Sequence, residues 1–209
     1  IGILLQKQSD ANTLQVSQRV RAELMRLQAA LPGPIAFQIA QDTSVFTRDA
    51  VDELQRNIAE AILSVSLMLL IFLHSWRNAF IVLLAIPTSI VSTFLMMYAF
   101  GFTINLMSLM GLALTIGILV DDSIVVLENI HRHIQKGERP REAALNGRRE
   151  IGFAAVAITL VDVVVFLPVA LLTGIVGEIF REFAAVIVTA TLMSLFVSFT
   201  LTPMLCSRF

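Results

Sequence analysis

GILVDDSIVVLENIHR, residues 117–132, is aliphatic except for two carboxylates, Asp121 and Asp122, set side by side in its middle. The apolar run around the pair is long enough to cross a bilayer, for which about 20 residues suffice. An ionised carboxylate at the centre of such a helix costs about 2.5–3.5 kcal/mol, and a second one adds repulsion. The segment is therefore stable in a membrane only if both acids face protein or water and are neutralised by partners or by protons. A carboxyl that takes up and releases protons is the functional reading of this arrangement. Adjacent acids at mid-span have little structural use.

The rest of the chain agrees with a membrane setting. Of its 209 residues 56% are hydrophobic and 15% charged, the composition of a polytopic membrane protein rather than a soluble domain. Five apolar spans are expected, at about 57–75, 79–100, 103–128, 151–172 and 181–206. The gaps at 74–78 and 101–103 are so short that the flanking helices pair as hairpins. Lys and Arg set the orientation. Arg132, Lys136, Arg139, Arg141, Arg148 and Arg149 crowd the 131–150 loop, with Arg77 and Arg208 on the same side, whereas the opposite side carries only Arg181. Loop 131–150 is thus expected in the cytoplasm, and the N-terminal region outside it.

That region, 1–43, reads as strand–helix–strand, the end of a small α+β subdomain. Residues 1–5 form an apolar run. Asp10 or Asn12 can cap a helix reaching Leu31, and LPGP at 31–34 stops it. Ile35, Phe37 and Ile39 then alternate with small or polar residues. QDTS at 41–44 starts a helix that continues into the membrane, opening a transmembrane unit at 44–209. The fold class expected is mainly α: a bundle of transmembrane helices preceded by this extracytoplasmic fragment. Net charge is −1, which gives no basic balance for nucleic acid, and the single cysteine, Cys206, excludes an internal disulfide framework. IGILLQ at the start and CSRF at the end read as cuts through a larger protein.

On a helical wheel Ser108, Gly111, Thr115, Asp122 and Asn129 fall within about 60° of one another, a seam where another helix can approach closely. Asp121 points about 100° away, beside Gly117 and Glu128, so the two acids are expected to span one broad protein-facing sector. No Lys or Arg lies deep in any span. Either a basic partner sits elsewhere in the protein or the acids are protonated at rest. Thr115 and Asp162 are candidates for a proton path or for helix packing. Glu60, Glu128 and Arg181 fit structural roles near span ends. Pro87 should kink its span, with Ser89, Ser92 and Thr93 supplying replacement hydrogen bonds, and Pro168 should do likewise in the fourth. The methionines suit packing, and His74, His131 and His133 lie at span ends, so no metal site is expected. No phosphate loop and no Ser–His–Asp signal is present.

GFTINLMSLMGLALTIGILVDDSIVVLENIHRH resembles the fourth transmembrane helix of resistance–nodulation–division (RND) transporters, most closely the hydrophobe/amphiphile, AcrB-like acriflavine-resistance branch. FLHSWRNAFIVLLAIPTSIVSTF, FLPVALLTGIVGEIFREFA and LTPMLCSR resemble further segments of that family, and DANTLQVSQRVRAELMRLQAALP resembles the close of its second porter subdomain. The resemblance implies the second to sixth transmembrane helices of a proton-driven drug efflux pump of the bacterial inner membrane. It implies protons as coupling ion, Asp121 and Asp122 as part of the proton relay, and no other cofactor. It also implies lipophilic substrates, a homotrimer embedded in lipid, a periplasmic adaptor and an outer-membrane channel. The lysine, arginine and threonine completing the relay would lie on later helices. The metal-efflux branch keeps one acid in a VDG-like setting, so VDDS favours organic substrates. A sterol-sensing relative of the same core, or an intramembrane aspartyl protease, are the competing classes. The protease needs two facing carboxylates, which neighbours on one helix cannot supply; Asp122 with Asp162 could, but neither lies in that family's YD or GxGD context.

Overall fold

The computed structural model describes residues 2–6, 12–31, 36–73 and 76–208. Six helices succeed one another: α1 (Thr13–Ala30), α2 (Ser44–Leu73), α3 (Trp76–Ala99), α4 (Leu106–Gln135), α5 (Pro140–Ala170) and α6 (Gly174–Arg208). Asn12 caps α1, its side chain accepting from the backbone N–H groups of Leu14 and Gln15. The other expected cap, Asp10, lies outside the described residues, as does Ile35. Among the described residues there is no strand: 2–6 and 36–40, where the two strands are expected, are without a ladder. Two short segments on either side of a helix supply no third strand, and a lone two-stranded ladder is marginal in water.

Asp42 ties α1 to α2. Its Oδ1 accepts from the Ser44 N–H at 2.9 Å, capping α2, and its Oδ2 accepts from Arg21 Nη2 at 2.7 Å and Ser17 Oγ at 3.0 Å. The Ser44 hydroxyl and then Arg21 hold the Asp42 carboxyl well below the usual carboxylate range. A carboxyl depressed in the folded state stabilises fully above its unfolded value of about 3.9 and loses that contribution as pH falls through the lower folded value. Docking of α1 on α2 should therefore persist at a pH where ordinary aspartates are half protonated, and Asp42→Ala should release α1 already at neutral pH. Amide hydrogen exchange across α1 checks both.

Among the described residues four helices are long and apolar enough to cross a membrane: α3, α4, α5 and α6 from Ile179. The fifth expected span, 57–75, falls in the distal half of α2. That half is helical to Leu73, where the described part of α2 ends. α2 itself runs from Ser44 to Leu73 without a break.

α3 passes through Pro87 as one helix. The hydroxyls of Thr88, Ser92 and Thr93 donate back to the carbonyls of Leu84, Thr88 and Ser89 at 2.7–2.8 Å. Ser89, expected among these donors, is not one: its Oγ is buried without a partner, and Thr88 takes the role. α5 continues through Pro168 and closes at Ala170.

α4 is the centre of the bundle. Of its most apolar window 56% is buried, against 11% for α5, which turns most of its surface outward. α4 and α6 run parallel at a nearly constant register. Asn105 meets Glu182, Leu119 meets Ser194, and Ser123 meets Ser198, a separation of 75 to 77 positions throughout. Gly111 permits this approach, because a Cβ there would stand 2.9 Å from the Phe183 carbonyl oxygen. Gly147 does the same between α5 and α4, where a Cβ would stand 2.9 Å from Ile130 Cα. Leu119, Val120, Val126, Leu127 and Ile130 of α4 pack with Ile81, Val82, Ile86 and Ile90 of α3 and Ala190 of α6 as the main core.

At the basic end, His133 bridges Glu138 and Glu150 at 2.6 and 2.7 Å, and Arg132 pairs with Glu150 at 2.5 Å. These contacts close the α4–α5 turn, in which Gly137 takes a φ of 92° that favours glycine. At the opposite end Asn105 caps α4 in a reciprocal box with Ser108 and reaches Glu182 of α6.

Candidate functional site

The seam expected on α4 is buried along its whole length: Ser108, Gly111, Thr115, Asp122 and Asn129 all face the interior. Each is accounted for locally. Ser108 completes the capping box. Thr115 Oγ1 donates to its own helix, at the carbonyls of Gly111 and Leu112. Asn129 Nδ2 donates to the Gly147 carbonyl at 2.7 Å, joining α4 to α5 beside the glycine contact.

Asp122 is the exception. It is 8% exposed, and its Oδ2 has no hydrogen-bond partner. None of the ion pairs among the described residues involves Asp121, Asp122 or Asp162. A buried polar atom left unsatisfied costs about 1–3 kcal/mol, and more when charged. A proton on the carboxyl removes the charge, so this side chain is built to be neutral at some stage.

Asp121 stands elsewhere. It is exposed, on the α4 face that also shows Leu114, Gly117 and Glu128. Within this chain the two acids thus take different faces of α4. Asp122 enters the helix interior, and Asp121 looks outward from the same turn. The ~100° step between neighbours carries Asp121 past the edge of the buried stripe.

Asp162 is half-buried on α5 and close enough to Asp122 for the two carboxylates to repel. Thr159, one turn before it, spends its hydroxyl on the Ala155 carbonyl. The structure thus brings Asp162 toward Asp122, while Thr115, two turns above, contacts only its own backbone.

The hydroxyls of α6 escaped the sequence reading. Ser194 Oγ donates to the Leu119 carbonyl at 3.2 Å beside Asp122, and Ser198 Oγ lies 3.0 Å from Ser123 Oγ. Thr202 Oγ1, one turn further, is fully buried without a partner. The signal was present, since 194, 198 and 202 are four apart and carry small hydroxyls in an apolar run. Only the α4–α6 register shows that they follow the acid pair.

The family model for the AcrB/AcrD/AcrF family matches residues 1–209. The chain is 43% identical over 208 residues to multidrug resistance protein MdtC of Pectobacterium atrosepticum, covering 100% of this chain and 20% of that protein. It is 43% identical over 205 residues to the MdtC of Yersinia pestis bv. Antiqua and 42% identical over 205 residues to that of Pantoea ananatis, each match covering 98% of this chain and 20% of the relative. The chain thus spans about a fifth of the length of these curated relatives.

Proposed function

From the premise that the chain belongs to the AcrB/AcrD/AcrF family, a family of efflux transporters and not of enzymes, we propose that it is part of a proton-driven multidrug exporter in which Asp121 and Asp122 carry the coupling proton. The observation that carries this reading is Asp122, buried at mid-bundle with an unpartnered oxygen and no ion pair. A lone interior carboxyl alternates between a protonated form that fits the helix interior and a charged form that must repack its neighbours. That difference is the means by which a proton biases a two-state element. An inward proton yields about 2.3 kcal/mol per 100 mV of membrane potential, and a pH gradient adds to it.

Asp121, looking outward from the same turn, is suited to meet the relay's basic partner on another part of the protein. Asp162 adds a second carboxyl near Asp122. In this reading the chain sits in the bacterial inner membrane, with 131–150 in the cytoplasm and 1–43 in the periplasm. α2, unbroken from Ser44, joins the porter region to the membrane. The relatives' printed name, multidrug resistance protein, supports organic, lipophilic or amphiphilic substrates. A homotrimer with a periplasmic adaptor and an outer-membrane channel completes the proposal.

Everted vesicles carrying the full-length parent test it. Uptake of a fluorescent lipophilic cation should require an imposed proton gradient and collapse with a protonophore. Uptake that persists on ATP alone, with the gradient dissipated, would overturn the proton-driven reading.

A further inference from the structure

We propose that the buried hydroxyls of Ser123, Ser198 and Thr202 form the proton's route from Asp122 toward the basic end of the bundle. This rests on the proton-coupled reading of Asp122 above and adds residues to it.

The α4–α6 register supplies the geometry. Ser123 is the next residue after Asp122 but lies about 100° round the helix from it, so a water must join the two; its Oγ lies 3.0 Å from Ser198 Oγ across the helix interface, both serines fully buried. Thr202 stands four residues beyond Ser198, toward Arg208 and the basic end. Four helical residues advance about 6 Å. Two hydrogen bonds of about 2.8 Å through one water bridge nearly the same distance. A single water between successive hydroxyls is therefore the natural link, and each orphaned atom is where it would bind. Thr202 Oγ1 is fully buried and unpartnered, and Asp122 Oδ2 is unpartnered at the other end of the file.

The neighbouring hydroxyls are unsuited. Thr93, Thr115, Thr159 and Thr191 each donate to a carbonyl of their own helix, and Ser194, beside Asp122, donates to the Leu119 carbonyl, so their protons are committed to backbone. Ser123 and Ser198 instead meet each other across two helices. A serine hydroxyl is one donor with two acceptor lone pairs. It can accept a proton on one side while releasing its own on the other, so it ends the step neutral. The proton leaves the Asp122 carboxyl, the carboxylate regains its charge, and one proton emerges beyond Thr202. No redox partner is needed.

The ionisable groups that share this space are Asp121 on α4 and Asp162 on α5. Between Glu60 and Leu73 on α2, between Arg77 and Tyr98 on α3 and between Glu182 and Cys206 on α6, no ionisable residue intervenes. The hydroxyls are thus the only protic side chains on α6 that continue the file from Asp122 among the described residues.

The test uses the full-length parent in proteoliposomes with an internal pH dye. Substrate-driven proton flux should fall about tenfold in Ser123→Ala/Ser198→Ala and in Thr202→Val, with substrate binding unchanged. Ser198→Thr keeps a hydroxyl and should restore flux in the Ser198 series. The solvent deuterium effect on flux should grow when the file is interrupted. Flux within twofold of wild type in both hydroxyl-deleted proteins, while Asp122→Asn abolishes it, would overturn the route and leave the relay standing. Equal losses in Ser198→Thr and Ser198→Ala would mark a packing effect and also overturn the route. Flux that survives Asp122→Asn would overturn the relay itself, and the route with it.

Discussion

Asp122→Asn in the full-length parent should cut substrate export by at least about a hundredfold, the range expected when a group that transfers a proton is lost. The folded protein should be no less stable, and more stable if anything. The amide has nearly the shape of the acid but never takes a charge, so it avoids the roughly 2.5–3.5 kcal/mol that a carboxylate pays at mid-membrane. Asp122 is 8% exposed, its Oδ2 has no hydrogen bond, and no ion pair holds it, so the substitution breaks no recorded contact at that oxygen. Loss of export with a retained or raised melting temperature separates a working carboxyl from a structural one. Export rates in energised vesicles, set beside thermal unfolding in detergent, give both readings on one preparation. A structural Asp122 would show the reverse pair: lowered stability with export falling only in proportion.

Gly147→Val should unfasten α5 from α4. A Cβ at 147 would stand 2.9 Å from Ile130 Cα and 3.0 Å from Ile130 N, so the obstacle is backbone and cannot rotate away. The same contact carries the 2.7 Å hydrogen bond from Asn129 Nδ2 to the Gly147 carbonyl, and separating the helices breaks it. Overpacking of this kind costs about 1–3 kcal/mol, and a buried amide left unpaired adds about 1–3 kcal/mol. Gly152, five residues along the same helix, is the internal control. Nothing lies within 4 Å of a Cβ there, and alanine is favoured over glycine in a helix by up to about 1 kcal/mol. Gly147→Val should lower the melting temperature by several degrees, while Gly152→Ala should leave it unchanged or raise it. A melting temperature unaffected by Gly147→Val would mean that the two helices do not meet there.

The helical period made much of this legible in advance. Ser108, Gly111, Thr115, Asp122 and Asn129 share one face because seven residues make nearly two turns, and the burial of all five follows from that arithmetic. Asn12 was readable as a cap because its amide oxygen can reach the first free N–H groups of α1. Alternation at 35–39 specifies a strand only if a partner ladder exists, and the described residues hold none. The wheel gives the ~100° step from Asp122 to Asp121, and the width of the buried stripe, which leaves Asp121 exposed in this chain, depends on which helices pack on α4. Ser89 was read as a donor in α3, and the rotamer that makes Thr88 the donor instead cannot be seen in a string of letters. The 75-residue offset between α4 and α6 was beyond reach for the same reason: register across a helix pair is set by where Gly111 lets Phe183 approach. With that offset known, Ser123, Ser198 and Thr202 become one file.

Proton movement itself tests the central claim most directly. The full-length parent would be reconstituted with an internal pH dye, and a substrate gradient imposed with no pH gradient present. Wild-type protein should drive a proton flux opposite to the substrate, and Asp122→Asn, matched for the amount of reconstituted protein, should drive none. An Asp122→Asn protein that moves protons at the wild-type rate would contradict the account and make the buried carboxyl at residue 122 a structural feature of the bundle.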